Sequence, residues 1–528
     1  SGIVFLAGFH TWASIQDSWP SLPITPLDFD EYLDALVSYG CNFTKAWILE
    51  SAKDWGDSVQ YFAPLPWART GPGTAHDGRP KFDLTQFDDD YFTRLRERCI
   101  RLGNAGIYVC VQLFQGWHVS KKGFGTGDPW ANHPMNAANN INGVDGDTNG
   151  DVVGLETRTT TLTATYNIQK AYVAKVIDTL NDLDNVFFEI ANEEENSSLT
   201  WQRALVDYIQ TYEAGKPKQH LVGMTVCWPS GDNQDLYDTT AIDWLSPGGD
   251  LVPEAASAAK ISAFDTDHVG GLTSEYKWIL RALAQGHGGA WYMDEWAGET
   301  YGNDTRSNAT YQKIRSILGY ALDYAARIDL ANATPQPSLA STGYCLAKTS
   351  GAAQILAYQD GSGSFTVNLT GISGTFALEW LRTANGTTQA GSNVSGGATR
   401  TLTPPWAGED VLAFLELIGY DLTAANIATG APTLGTPTLG QTHALTATDI
   451  ATGAPTVAAP TLAQAHALAT ADVATGAPTL DAPTIAQVHA LAAVAITTGA
   501  PTLGTPSMSG ESALTASDIT TGTPILDT

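Results

Sequence analysis

Positive charge is scarce in this chain: 27 Lys and Arg stand against 55 Asp and Glu in 528 residues, for a formal charge of -28. Such a surface repels phosphate backbones and anionic lipid, so nucleic-acid binding is excluded as a working function. Cysteine is scarce too. The five residues, Cys41, Cys99, Cys110, Cys227 and Cys345, are scattered and form no CxxC pair, which argues against a disulfide framework or a zinc site and for buried free thiols. No apolar run approaches the ~18 residues of a membrane span. The first residues, SGIVFLAGFHTW, lack both an initiator Met and a basic-then-apolar leader, the pattern of a processed or trimmed N-terminus.

Two further absences divide the chain. Thirteen of the fifteen Trp precede residue 330, nothing aromatic follows Tyr420, and no Lys or Arg follows Arg400. Residues 421–528 therefore cannot build an ordinary core. They repeat instead: Gly430, Gly453, Gly476, Gly499 and Gly522 are spaced by 23, with Pro432, Pro455, Pro478, Pro501 and Pro524 in register. Units this short need neighbours or identical chains to bury anything, so a stalk that makes a homo-oligomer, a trimer or a filament, is expected. Residues 333–420 show alternating stretches (AQILAYQ, SFTVNL, FALEWL) between Gly, Asn and Ser clusters, which predicts a small β-sandwich that buttresses the larger domain.

Within residues 1–332, eight short β-rich runs at 3–9, 42–49, 107–114, 186–191, 221–227, 241–246, 260–264 and 290–293 alternate with amphipathic runs such as DFDEYLDALVSY and YFTRLRERCIRLG. Eight strand-helix units predict an α/β fold, a closed (β/α)8 TIM barrel. Its chemistry belongs where strands end, and there the residues are polar and aromatic: His10 and Trp12, Glu50, Trp117 and His118, Asn192 and Glu193, Trp228, then Asp265, Asp267 and His268, and Asp294, Glu295 and Trp296.

The segment FFEIANEEENS delivers Asn192 and Glu193 from an apolar strand. A carboxyl near aromatic rings and a second acid can be tuned to protonate a leaving oxygen. The segment resembles the fourth strand of the large retaining clan of TIM-barrel glycoside hydrolases. That resemblance implies Glu193 as acid/base, Asn192 as a ligand of the sugar 2-hydroxyl, and a second acid presented by the seventh strand. Counting strands puts Asp265 and Asp267 there, where the clan normally has Glu, while WYMDEWAG offers Glu295. Asp265 is preferred. YCLAKTSGAAQILAYQDGSGSFTVNL and TPPWAGEDVLAF are similar to the β-domain that follows apiosidase-like barrels, and the repeats resemble those of phage-tail and secreted proteins.

The remaining mouth residues are read as sugar handlers. Trp12, Trp47, Trp117, Trp228, Trp291 and Trp296 offer faces for pyranose rings, and His10, Lys45, His118 and His268 offer hydrogen bonds. Asp145, Asp147, Asn149, Gly150 and Glu156 match D-x-[DN]-x-[DN]-G-x5-E, and with Asp151 they predict a structural Ca²⁺. No organic cofactor is indicated. The expectation is a glycosidase acting on an extracellular or cell-surface oligo- or polysaccharide. A carbohydrate-binding adhesin without turnover and a subunit of a phage tail fibre or filament are the alternatives.

Overall fold

The computed structural model describes residues 3–55, 58–120, 127–248, 260–266, 276–294, 296 and 304–424, and between 425 and 528 a set of short strands. Eight strands, β1 (Leu6–His10), β2 (Phe43–Ala46), β3 (Tyr108–Gln115), β4 (Val186–Asn192), β5 (Val222–Thr225), β6 (Trp244–Ser246), β7 (Ile261–Asp265) and β8 (Gly289–Met293), form one parallel sheet. They run in the order β1-β8-β7-β6-β5-β4-β3-β2. Each coincides with a predicted strand.

The seam between β1 and β2 is closed by Asn42 and Tyr32. Asn42 accepts the Ala7 N–H on Oδ1 at 2.9 Å and donates its own N–H to Ala7 O at 3.1 Å. Tyr32 Oη donates to Phe9 O at 3.0 Å and lies 2.7 Å from Thr44 Oγ1. Gly8 is required here. A Cβ at that position would sit 1.8 Å from the Phe43 carbonyl oxygen, so any side chain would wedge the seam apart.

The outer layer is α1 (Phe29–Ser38), α2 (Asp89–Asn104), α3 (Thr163–Leu180), α4 (Leu199–Glu213), α5 (Asn233–Asp238), α6 (Lys277–Ala284) and α7 (Ala309–Arg327). Their starts follow from the sequence. Asp28, Asp88 and Asn308 each accept a first-turn N–H on the side chain. In α1 the buried residues Phe29, Tyr32, Ala35 and Leu36 recur at helical spacing, which turns one apolar stripe inward.

The barrel interior is layered by the two-residue period of its strands. Phe43, Cys110, Phe187, Trp244, Ala263 and Trp291 form a dry lower cluster. Two residues further along five of these strands, at the mouth end, stand Lys45, Gln112, Glu189, Ser246 and Asp265. All five are buried. A polar layer therefore rests on an apolar one.

After α7 the chain forms an antiparallel sheet from Thr334–Pro335, Cys345–Lys348, Gln354–Gln359, Val411–Ala424, Thr375–Arg382, Thr388–Ala390 and Val394–Ser395, with the separate pair Phe365–Asn368 and Thr399–Leu402. Both faces of the central strands are covered. Leu356, Tyr358, Leu412 and Phe414 join the barrel's core, while Ile355, Ala357, Val411, Ala413 and Leu415 belong to a second core. That explains the unbroken apolar run VLAFL, which period-2 reasoning alone would not produce. Tyr276, just before α6, donates its hydroxyl to Asp410 at 2.9 Å and fastens sheet to barrel, while Tyr358, within the sheet, donates to the same carboxylate at 2.9 Å.

The strand Val411–Ala424 continues into the repeats, pairing in parallel with Thr442–Ile450. From there each 23-residue unit stacks its strand on the last, His443 opposite His466 opposite His489 in the backbone register. Two more strands per unit make parallel ladders of their own. In-register parallel stacking is the arrangement by which each unit pairs its backbone with its neighbours in the same chain.

Candidate active site

Two clusters occupy the mouth of the barrel. The first is the polar layer. Lys45 Nζ lies 3.1 Å from Glu189 Oε2, 3.7 Å from Asp265 Oδ2 and 3.5 Å from Asn192 Oδ1. Thr225 donates its hydroxyl to Glu189 Oε1 at 3.0 Å, and His10 Nε2 stands 3.5 Å from Asp265 Oδ2. Burial by itself would lower the Lys45 pKa, but the Glu189 and Asp265 carboxylates outweigh it and hold the ammonium above its ordinary range. Burial lowers the His10 pKa in spite of Asp265, so the imidazole is neutral near pH 7. Asp265, at the end of β7 and only 2 % exposed, is an acid held beside a permanent cation.

The second cluster surrounds Glu193. This residue has φ 46°, a left-handed conformation that costs a non-glycine residue about 1–3 kcal/mol and is concentrated at functional sites. The turn swings Glu193 out of the β4 line, half-buried, where its Oε2 accepts the Trp117 indole N–H. The Trp117 ring in turn stacks on Trp228 at 5.5 Å and 18°. Trp228 is 41 % exposed, so aromatic surface reaches solvent next to the ring that holds the Glu193 carboxyl. Gly116 allows the contact: a Cβ there would sit 2.3 Å from Glu193 O.

Around both clusters lies a third set of charges. Glu50 is held at about 2: burial would raise its pKa, but Arg158 and His133 outweigh it. At the end of β8, Asp294 accepts hydrogen bonds from Arg315 at 2.7 Å and Thr305 at 2.5 Å; burial still raises its pKa.

The sugar-handler expectations divide on this geometry. Trp117 and Trp228 are partly open at the mouth, whereas Trp12, Trp47, Trp291 and Trp296 are buried. Trp291 stacks on Phe43 at 4.4 Å in the lower layer, and Trp296 stacks on Phe9 at 5.6 Å, so both are core side chains and not open platforms. Trp12 donates its indole N–H to Met293 Sδ at 2.9 Å. Trp47 lies under His10, ring to ring at 5.4 Å, with the Lys45 ammonium 4.5 Å from its centroid. Lys45 and His10 face carboxylates and not the mouth solvent. His118 accepts the Ser51 N–H at 2.8 Å, and burial pushes its pKa down to about 3. Asp267, His268 and Glu295 lie outside the described residues.

In the predicted calcium loop, Asp147, Asp151 and Glu156 bring carboxylate oxygens within 4.8 Å of one another. Asp145 instead accepts the Asp147 N–H at 3.1 Å, and the Asn149 side chain donates to Asp151 at 2.9 Å.

The residues missed in the sequence are Glu189, Arg158 and Thr225. Glu189 carried a signal, an acid inside the apolar run VFFEIA at a position two beyond inward Phe187. Arg158 carried none, because its partners Glu50 and Glu194 are 108 and 36 positions away. A cavity of about 800 Å³ at the opposite end of the barrel, with Phe187, Trp244 and Trp291 among its walls, does not reach the polar layer.

A family profile described as a domain of unknown function, DUF6298, matches residues 52–238. No curated protein matches the chain. Among solved structures, one titled a glycoside hydrolase is 12 % identical, with 78 % of this chain and 92 % of that one aligned at a TM-score of 0.51. A glycoside hydrolase family 5 structure from Bacteroides vulgatus is 11 % identical, over 78 % and 89 % of the two chains, at a TM-score of 0.52. At these identities the shared property is the fold: this chain has a TIM-barrel architecture of the kind that glycoside hydrolases also have.

Proposed function

We propose that this protein is a glycoside hydrolase that cleaves an oligo- or polysaccharide with two carboxyl groups, Glu193 as proton donor and Asp265 as nucleophile. The observation that supports the reading is the presence at one barrel mouth of two separate acids, a strained, half-buried Glu193 that accepts the Trp117 indole N–H just past β4 and a buried Asp265 carboxyl 3.7 Å from the Lys45 ammonium at the end of β7. In the first step an Asp265 oxygen bonds to the anomeric carbon while the bond to the leaving oxygen breaks, and Glu193 gives that oxygen its proton. In the second, Glu193 takes a proton from water, the water oxygen bonds to the anomeric carbon, and Asp265 departs, so configuration is retained. In this reading Asn192, whose Oδ1 is 3.5 Å from Lys45 Nζ, bonds the sugar hydroxyl next to the reacting carbon.

Hydrolysis by Glu193→Gln and Asp265→Asn tests this. Glu193→Gln should lose activity on glycosides with poor leaving groups far more than on activated aryl glycosides, which need no proton; Asp265→Asn should lose both. Equal loss on the two substrate classes in Glu193→Gln removes that residue from the role. Product anomers at first turnover, followed by NMR, separate retention from inversion.

The acidic loop suits a calcium ion, with Asp147, Asp151 and Glu156 as ligands that would tie down the long excursion between β3 and α3. The buried Glu156 Oε2, which has no hydrogen-bond partner among the described residues, supports the fit. Chelation should lower the melting temperature; an unchanged melt defeats the assignment. The repeats are suited to display the barrel outside a cell, on a surface or as part of a phage tail, and to join copies of the chain. Light scattering with and without residues 425–528 tests the association.

A further inference from the structure

Nothing in the Glu193 side chain favours its left-handed backbone, so the turn must be held from outside. The holding contacts sit on either side of it. Glu194, the next residue, is buried; its Oε1 accepts from Arg158 Nε at 2.8 Å and its carbonyl accepts the Trp228 N–H at 3.0 Å. Across the gap, Trp117 follows Gly116 and Gln115, and Gln115 O accepts from Arg158 Nη2 at 3.4 Å. Arg158 Nη2 also donates to Glu50 Oε2, which takes the Gln115 N–H at 2.9 Å.

One guanidinium therefore pins both members of the Trp117–Glu193 contact from behind. It is itself immobilised, fully buried with its carbon 5.4 Å from the Phe114 ring centroid and 4.9 Å from that of Trp201. The guanidinium reaches its three acceptors from two nitrogens held rigidly in one plane; an ammonium, with its three donors on one atom at the end of a flexible stem, would keep the charge and lose that spread.

We propose that Arg158 is a positioning residue for Glu193: by bonding Glu194, Glu50 and Gln115 together it sets the Glu193 carboxyl against the Trp117 indole. The idea rests on the reading of Glu193 as proton donor for its significance, and its test is independent of turnover. The long segment between β3 and α3 then has a purpose at the site, since it delivers a cation that no barrel strand supplies.

The probe is the Trp117 indole N–H in the full chain carrying ¹⁵N-labelled tryptophan, its cross-peak identified by its loss in Trp117→Phe. In the wild type a hydrogen bond to a carboxylate places this peak downfield, and Glu193→Gln moves it upfield. Arg158→Lys and Glu194→Gln should each shift the peak the same way or split it, by more than a line width, while the Trp278 and Trp380 peaks stay in place. An unmoved, unsplit Trp117 peak in a folded variant overturns the proposal; should Arg158→Lys not fold, Glu194→Gln, nearly isosteric, decides alone. Wild-type hydrolysis by Glu193→Gln would sink the enzymatic reading and leave this geometric result standing.

Discussion

Lys45 and Asp265 meet across the barrel interior, the ammonium 3.7 Å from Oδ2, with Glu189 closing the triangle at 3.1 Å and all three side chains shut off from water. One cation thus faces two carboxylates. Lys45→Met should leave two buried acids without a counter-charge, which then retain a proton to a higher pH. The expected result is a stability loss of about 3–5 kcal/mol and an acid limb of the pH–rate profile moved upward. Urea denaturation and kcat/KM against pH measure the two. A profile unchanged in position would show that the ammonium does not act on Asp265.

The aromatic slab makes a separate prediction. Trp228 is 41 % exposed where it stacks on Trp117, so its removal costs little stability. If its exposed surface carries a sugar ring, Trp228→Ala loses about 0.5–1.5 kcal/mol of binding, a roughly two- to thirteenfold rise in KM with kcat held nearly constant. Steady-state kinetics separate the two. A fall in kcat at constant KM would instead mean that the ring supports Glu193.

How far the sequence went differs between scaffold and site for a physical reason. The eight strands were legible because each is a short apolar run between turn residues, and the period of two needs no knowledge of partners. The position of Glu193 just past β4 was legible because it follows such a run. Trp291 and Trp296 were misassigned because proximity to a strand end does not say which way a ring points; Phe43 and Phe9, the rings they pack on, are more than 200 positions away. The Arg158 clamp was illegible for the same reason in stronger form. Pairings of that range exist only once the barrel has closed.

The charged groups behind the site give a pH prediction. Glu50 has a folded pKa of about 2 against an ordinary 4.5, and His118 about 3 against 6.5. In both cases the unfolded chain binds more protons in acid than the folded one, so both contributions are complete above about 6.5 and are lost as pH falls. His118 acts from 6.5 downward and Glu50 from 4.5 downward, each with a slope of up to about 1.4 kcal/mol per pH unit. His118→Asn keeps an acceptor for the Ser51 N–H and removes the titration. It should flatten the loss between pH 6.5 and 4.5, measured by urea denaturation; a slope equal to that of the wild type would mean the imidazole titrates normally.

The seam between β1 and β2 offers the sharpest test of the barrel itself. Two strands that adjoin without a ladder are held by Asn42, Tyr32 and the absence of a side chain at position 8. Gly8→Ala places a methyl 1.8 Å from the Phe43 carbonyl, a backbone atom that cannot rotate away. The strands must part, at a cost of roughly 3 kcal/mol, and His10, two residues on in β1, must shift relative to Trp47, the ring it stacks on just past β2. Stability and activity should fall together. A substitution in the second core, Leu415→Ala, costs a similar stability of about 2–5 kcal/mol and gives the comparison: activity per folded molecule should drop in Gly8→Ala and hold in Leu415→Ala, because only the first displaces a strand whose end carries a mouth residue.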